Sequence, residues 1–274
     1  MNVLIVGGCG YVGSALYRHL IAAGHEVDSI DIERRGNPGI ERNQFINYAH
    51  VSRFDEWDAV IVMSGVSSVG EAKAQPYSAF LGNLVHLGQL TQRLNGQPLI
   101  YASSAAVHAF KVASGGTQTT NIYDATKTAA DAIIPQLYPE TWALRFGTVA
   151  GPSPNMRFDT MINAMVRDGR RGRVKLANPH AWRPILAMAD LLRGVEAILE
   201  GAVPPGLHDM CSFNAPIGQI ADWIADRLGA EIELLPPSPT YDFVMGATRW
   251  FEPTERLGSI VDALVEHYKA EGIV

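Results

Sequence analysis

Cysteine is scarce in this chain of 274 residues, which has only Cys9 and Cys211, far apart in the sequence. Neither residue has metal-ligand spacing to another, so the sequence predicts neither a disulfide framework nor a zinc site. Apolar runs of about 18 residues or more are also missing, which argues against a membrane span. The apolar start, MNVLIV, is short, has no basic leader and stops at glycines, which disfavours a secretory signal. These absences favour a cytoplasmic protein.

Positive charge is in deficit as well. The chain has 22 Lys and Arg against 28 Asp and Glu, a formal net charge of −6, which argues against a nucleic-acid partner. The basic cluster at 167–175, RDGRRGRVK, is short and is typical of a solvated helix end and turn rather than of a docking surface. We therefore expect a small-molecule substrate, with no nucleic acid, membrane or metal involved.

Short apolar runs that alternate with helical patterns dominate the first half of the chain. Because strands that alternate with helices form βαβ units, this half predicts an α/β fold of the Rossmann-like, doubly wound type with a parallel sheet. The predicted strands lie at 2–6, 27–31, 58–63, 98–102 and 141–146, and the predicted helices lie between Val12 and Gly24, at 78–94 and at 122–137.

Beyond about residue 150 the pattern becomes irregular, because Gly151, Pro152 and Pro154 interrupt it. A strand at 184–187 and helices at 189–200, 217–229 and 254–270 are predicted there. We expect a dinucleotide-binding domain at 1–152, to which 183–204 returns, and a smaller, irregular substrate lobe formed by 153–182 and 205–274. The alternative is one continuous domain with long loops.

Gly7, Gly10 and Gly13 stand in GGCGYVG, between the first predicted strand and the first helix. Glycine there permits a tight turn and a close approach of the backbone to a pyrophosphate, which the helix N-terminus also favours. Asp31 ends the second predicted strand, where a carboxylate accepts hydrogen bonds from ribose hydroxyls and repels a 2′-phosphate. NAD is therefore favoured as the cofactor, and Arg34 and Arg35 keep NADP open as the alternative.

Tyr123 and Lys127 lie four residues apart, on one face of a predicted helix. An ammonium group close to a phenol favours the phenolate, which accepts a proton from a carbinol. Such a pair alone usually marks an ordinary helix surface. Ser103 and Ser104 add weight, because they follow a predicted strand at the sheet edge where ligands bind in open α/β folds.

With these motifs, nearly the whole chain resembles the extended short-chain dehydrogenase/reductases, the NAD-dependent epimerases and dehydratases that act mostly on nucleotide-activated sugars. The segments that carry the resemblance are GGCGYVG, VIVMSGVSS, YASSAAVHA, NIYDATK, LRFGTVAGP and WRPILAMADL. The resemblance implies that Ser104, Tyr123 and Lys127 are catalytic, and that Ser104, Tyr123 and Arg183 bind the substrate, Arg183 through its phosphate. It also implies a homodimer and a cofactor site formed by Gly7, Gly10, Tyr11, Val12, Gly13, Asp31, Ile32, Ser64, Gly65, Asn83, Ala102, Tyr123 and Lys127.

One departure from the family bears on the reaction. Ala105 and Ala106 follow Ser104, where nucleotide-sugar dehydratases carry an acidic residue, so dehydration is disfavoured. The leading hypothesis is an NAD-dependent nucleotide-sugar epimerase that works through a transient keto intermediate. The alternative enzyme is an NAD(P)-dependent reductase or dehydrogenase of a keto sugar or other small carbonyl. A third hypothesis is a dinucleotide-binding protein without catalysis.

Overall fold

The computed structural model describes residues 1–113 and 121–273 and divides the chain into two compact units. The first unit comprises Met1–Arg145, Ser153–Asn155 and Gly194–His208, and the second comprises Phe146–Pro152, Met156–Arg193 and Asp209–Val274. No helix among the described residues is long and apolar enough to cross a membrane.

The strands, numbered along the chain, are β1 (Asn2–Val6), β2 (Glu26–Asp31), β3 (Asn43–Phe45), β4 (Ala59–Val62), β5 (Leu99–Ser104), β6 (Thr141–Phe146), β7 (Thr148–Ala150), β8 (Arg173–Leu176), β9 (Trp182–Ala187), β10 (Gly206–Met210), β11 (Phe213–Pro216) and β12 (Glu231–Leu234). The helices are α1 (Tyr11–Ala22), α2 (Val69–Ala74), α3 (Pro76–Phe80), α4 (His86–Thr91), α5 (Ala106–Ala113), α6 (Ile122–Leu137), α7 (Met161–Gly169), α8 (Met188–Leu199), α9 (Ile217–Leu228) and α10 (Leu257–Ala270). A π-helical turn, Leu81–Val85, joins α3 to α4.

A seven-stranded sheet of order β10-β6-β5-β4-β1-β2-β3 forms the centre of the first unit. Strand β1 pairs in parallel with β2 on one side and with β4 on the other, so the direction of winding reverses between β1 and β4. In open α/β sheets this switch point is where ligands bind, at the carboxyl ends of the strands. The strands at the centre are buried on both faces: Leu4 and Val60 on one face and Ile5 and Ile61 on the other are fully covered.

The second unit contains a three-stranded sheet of order β11-β9-β7 and a two-stranded sheet of β12 and β8. Strand β9 runs antiparallel to β11 and parallel to β7. The hydrophobic core of the second unit contains Ile185 of β9, Ile224 of α9 and Leu264 of α10, which are all fully buried. Tyr268 is also fully buried, and its hydroxyl donates to the Asn163 carbonyl at 3.1 Å.

The fold has the α/β architecture that the sequence predicts. The bounds of the two units differ from the predicted domain bounds. Residues 183–193 belong to the second unit, because β9 is paired on both sides with strands of that unit. Ser153 and Asn155 belong to the first unit instead of the substrate lobe. The Ser153 hydroxyl donates to the Tyr11 carbonyl at 2.6 Å, and Asn155 Nδ2 donates to the Cys9 carbonyl at 2.7 Å.

Candidate active site

The glycine loop is formed by three backbone segments that approach too closely for side chains. A Cβ atom on Gly13 would lie 2.0 Å from the Gly7 carbonyl oxygen, and one on Gly7 would lie 2.6 Å from the Ser64 nitrogen. Gly7 also has a φ of +90°, which L side chains rarely adopt. The loop therefore needs glycine at both positions, in agreement with the spacing of the motif.

Helix α1 starts directly after this loop. Its N-cap residue is Gly10, and no side chain makes a capping hydrogen bond there. An N-terminus of this kind favours anions, because the helix dipole and the first-turn N–H groups attract negative charge. Tyr11, Val12 and Gly13 form this first turn. The sequence does not predict a role for Asn155, although its side-chain amide donates a hydrogen bond to the Cys9 carbonyl of the loop.

Asp31 ends β2 and contacts the glycine loop directly. Its Oδ2 accepts a hydrogen bond from the Cys9 nitrogen at 3.0 Å, and its Oδ1 accepts one from the Glu33 nitrogen at 2.7 Å. Burial raises the pKa of Asp31, while these two backbone N–H groups oppose the rise. The next residue, Ile32, is exposed. The carboxylate therefore lies beside the loop.

Gly65 and Asn83 meet after the end of β4. Gly65 has a φ of +130°, and a Cβ atom there would lie 2.5 Å from Asn83 Oδ1. Asn83 is buried within the π-helical turn, and its Nδ2 donates to the Val66 carbonyl at 3.1 Å and to Thr126 Oγ1 at 3.2 Å. Its Oδ1 finds no hydrogen-bond partner among the described residues. Because single π turns are frequent at functional sites, this buried acceptor indicates a ligand-binding position.

Ser104 lies at the end of β5, while Tyr123 and Lys127 lie on the first turns of α6. Lys127 is 7% exposed and its Nζ donates to the Ala102 carbonyl of β5 at 2.8 Å. Burial lowers the pKa of Lys127 from 10.5 to about 8, against a smaller opposing effect of Asp131. Ser104 Oγ accepts a hydrogen bond from the Ala106 nitrogen at 3.2 Å. The Tyr123 side chain packs against buried Val66, Ala72 and Ala79.

A buried polar network lies one helical turn beyond Lys127. Asp131 Oδ1 accepts a hydrogen bond from the Tyr101 hydroxyl at 3.1 Å, and its Oδ2 accepts one from Arg145 Nε at 2.7 Å. The side chains of Asp131 and Arg145 are 5% and 12% exposed, so water screens this ion pair little. The network joins β5, α6 and β6. No local sequence pattern predicts it, because its members lie 14 and 30 residues apart.

Arg183 lies in the second unit, whereas the other predicted site residues lie in the first. Its Nη2 donates to Thr148 Oγ1 at 2.9 Å, and its guanidinium carbon lies 5.6 Å from the centre of the Tyr241 ring. Burial lowers the pKa of Arg183. Arg183 lines a cavity of about 260 Å³ together with Lys175, Asn178 and other residues of this unit. The cavity is large enough for part of a small-molecule ligand and carries two cationic side chains.

The fold defines a class, the α/β proteins with a Rossmann-like parallel sheet, and in this chain a glycine loop follows β1, Ser104 ends a strand, and Tyr123 and Lys127 lie on a helix. A family model described as the NAD dependent epimerase/dehydratase family matches residues 3–208, and the chain belongs to this family.

Individual similar proteins agree with this assignment. The chain is 30% identical over 151 residues to UDP-glucose 4-epimerase from Streptomyces lividans, a match that covers 48% of this chain and 46% of that protein. The chain spans about half the length of several curated relatives that it matches.

Solved structures resemble the fold over nearly its full length. UDP-glucose 4-epimerase from Thermus thermophilus in complex with NAD has a TM-score of 0.81 at 21% identity, with 98% of this chain and 99% of that chain covered. UDP-glucuronic acid 4-epimerase from Bacillus cereus in complex with UDP-glucuronic acid and NAD has a TM-score of 0.81 at 18% identity, with 99% and 100% covered. At these identities the likeness establishes the fold.

Proposed function

We propose that the chain is an NAD-dependent nucleotide-sugar epimerase that inverts a carbinol centre through a transient keto sugar. The observation that carries the proposal is the buried Lys127 ammonium on the Ala102 carbonyl, one helical turn from Tyr123 and on the strand that ends at Ser104. A lysine that is buried and hydrogen-bonded in this way is expensive for stability, so a catalytic use explains its presence.

The residues of the first unit fit NAD. Backbone segments of the glycine loop pack too closely for side chains, helix α1 begins directly after the loop without a side-chain cap, and Asp31 lies beside the loop. We assign the cofactor to the thirteen positions that the family resemblance implies, from Gly7 to Lys127. When bound, NAD accepts a hydride from the sugar carbon and returns it.

Three side chains of the protein then transfer the proton and hydrogen-bond the reacting oxygen. Tyr123 takes the proton of the sugar hydroxyl, Lys127 favours the tyrosine phenolate by its charge, and Ser104 donates a hydrogen bond to the reacting oxygen. Return of the proton from Tyr123 completes the inversion after the keto sugar has presented its other face. Ala105 and Ala106 offer no acid for water loss, which favours epimerisation over dehydration.

For the substrate we assign the phosphate to Arg183. Its two hydrogen bonds to threonine hydroxyls, at 2.9 and 3.4 Å, leave Nε buried with no hydrogen-bond partner among the described residues. Guanidinium groups bind phosphate oxygens in a bidentate manner. The UDP-sugar ligand and the UDP-glucose activity named for the relatives favour a nucleotide diphosphate sugar as the substrate class.

Product analysis on a panel of nucleotide sugars tests the proposal. Wild-type protein should interconvert two epimers without consuming added NAD, and Tyr123→Phe should lower turnover by about 10²–10⁴, the scale of positioned acid–base groups, with NAD affinity nearly unchanged. Stoichiometric consumption of a reduced cofactor would instead identify the alternative, a reductase of a keto sugar or small carbonyl. Unchanged turnover in Tyr123→Phe would refute the catalytic assignment.

We also propose that two copies of the chain pair through α3 and α6. Large apolar side chains are exposed there: Tyr77 and Phe80 on α3 are 70% and 41% exposed, and Ile133 and Leu137 on α6 are 43% and 57% exposed. Exposed apolar groups clustered on adjoining helices are typical of an interface. The two helices pack on each other within the first unit.

A further inference from the structure

The turn that follows β2 carries two arginines beside the glycine loop. The Gly36 nitrogen donates to the Glu33 carbonyl at 2.8 Å, so Arg34 and Arg35 are the central residues of this turn. The turn borders the loop, because Asn155 Nδ2 donates both to the Cys9 carbonyl, at 2.7 Å, and to the Arg35 carbonyl, at 3.3 Å. A cation in this position is what a 2′-phosphate on the adenosine ribose requires.

Arg34, however, is already paired. Its Nη1 donates to Glu71 Oε1 on α2 at 2.5 Å. The Glu71 side chain is 22% exposed and that of Arg34 is 53% exposed, so the carboxylate is the better buried member of the pair. Glu71 is also fixed at its backbone, since its nitrogen donates to the capping Ser68 hydroxyl at 3.1 Å.

Two further acids surround the same turn. Asp31 accepts hydrogen bonds from the Cys9 and Glu33 nitrogens, which fixes its negative charge at the end of β2. Glu33 Oε1 accepts from Asn37 Nδ2 at 3.0 Å and from Asn43 Nδ2 at 2.9 Å. A 2′-phosphate would therefore meet carboxylates, and Glu71 would compete with it for Arg34.

Given the proposed binding of NAD, we propose that Glu71 is a specificity-determining residue, which holds the Arg34 guanidinium and so keeps the cofactor site selective for NAD over NADP. Asp31 accepts hydrogen bonds from the ribose hydroxyls in this arrangement. Glu71 pairs with the Arg34 guanidinium, which is then not available to bind a 2′-phosphate. Glu71 lies 37 residues from Arg34 in the sequence, on a helix after β4.

Calorimetric titration with NAD⁺ and NADP⁺ tests this assignment without any assay of turnover. Glu71→Gln removes the charge but keeps the size of the side chain, and both members of the ion pair are partly exposed, so the variant should fold. It should bind NADP⁺ about tenfold more tightly than wild type, the effect of one freed charge-assisted contact, and NAD⁺ with nearly the same affinity.

Three controls decide the result. Glu266→Gln removes an equal charge from an exposed pair on α10, where Glu266 accepts from Lys269 at 2.9 Å, and should leave both affinities unchanged. Adding Arg34→Ala to Glu71→Gln should abolish the gain for NADP⁺, and adding Arg35→Ala should preserve it. No gain in Glu71→Gln, or a gain that depends on Arg35, overturns the assignment while NAD⁺ binding persists. Wild type that binds neither nucleotide overturns the proposed function with it.

Discussion

Replacing Lys127 by methionine should make the protein more stable at neutral pH and should remove a defined part of its pH dependence. The ammonium group is buried, and burial lowers its pKa from 10.5 to about 8. Methionine fills a similar volume and brings no charge into the interior. The substitution therefore separates stability from function at a single residue.

The magnitude follows from linkage. Below about pH 8 both the folded and the unfolded chain hold the proton, so the cost of burying the charge is fully present. Between the folded pKa of about 8 and the unfolded value of 10.5 the folded chain has lost the proton and the unfolded chain keeps it. Stability therefore rises with pH in this window, and from about pH 7 to about pH 10 the contribution of Lys127 improves by about 2–3 kcal/mol.

Urea unfolding of wild type and Lys127→Met at both pH values measures this contribution. The difference in the free energy of unfolding between the variant and wild type should shrink by about 2–3 kcal/mol as the pH rises. Burial also raises the pKa of Cys9 and Cys211, but both proteins contain these cysteines, so their contributions to the pH dependence cancel in the difference. Lys269→Met, at an exposed lysine of α10, should show no such trend. Parallel pH profiles for wild type and Lys127→Met would refute the argument that the buried charge is costly.

Three other changes test the remaining features. Gly13→Ala places a Cβ atom 2.0 Å from the Gly7 carbonyl oxygen and should lower the free energy of unfolding by about 1–3 kcal/mol and weaken NAD binding, measured by urea unfolding and calorimetry. Gly70→Ala, with nothing within 4 Å, should be neutral or stabilising, and equal effects of the two would contradict the packing argument. Asp131→Asn weakens the buried pair with Arg145 and should cost about 3 kcal/mol in the same assay; a loss near zero would mean that the pair is not needed. Leu137→Glu should convert a dimer into a folded monomer in light scattering, and an unchanged mass would exclude this interface.

The sequence predicts the sheet well where strands are short, apolar and buried. Predicted and observed bounds agree for β1, β6 and α6, because each has a continuous apolar run or a helical pattern between clear breakers. Strands β8 and β12 are not among the predicted strands, which follow continuous apolar runs; the alternation of charged and apolar residues in Arg173–Leu176 and Glu231–Leu234 is the signal that indicates them, although each has only four residues. The helix predicted at 78–94 is in fact α3, the π-helical turn and α4, which ends at Thr91.

Sequence motifs identify the candidate site residues, but they do not identify the long-range hydrogen bonds and ion pairs that position these residues. The glycine spacing and the Tyr123–Lys127 spacing are local signals that a single helix or turn enforces. The contacts of Asp131 with Arg145 and of Asn155 with Cys9 join residues 14 and 146 positions apart, and no local pattern encodes such pairs. The predicted domain bounds differ from the observed ones for the same reason, because the Ser153 hydroxyl forms hydrogen bonds with the Tyr11 carbonyl and the Ser14 hydroxyl of the first unit.

An energetic argument reaches the same location without the motifs. Buried polar atoms normally have hydrogen-bond partners, and each exception costs free energy. In the part of the chain that the structure describes there are six such exceptions, and three of them, Ser64 Oγ, Asn83 Oδ1 and Ser103 Oγ, lie near the carboxyl ends of the adjacent strands β4 and β5. The buried Lys127 ammonium is held on the same strand β5. Because chains tolerate such local violations where a ligand relieves them, their concentration at one sheet edge points to a polar ligand there, independently of any resemblance to a family.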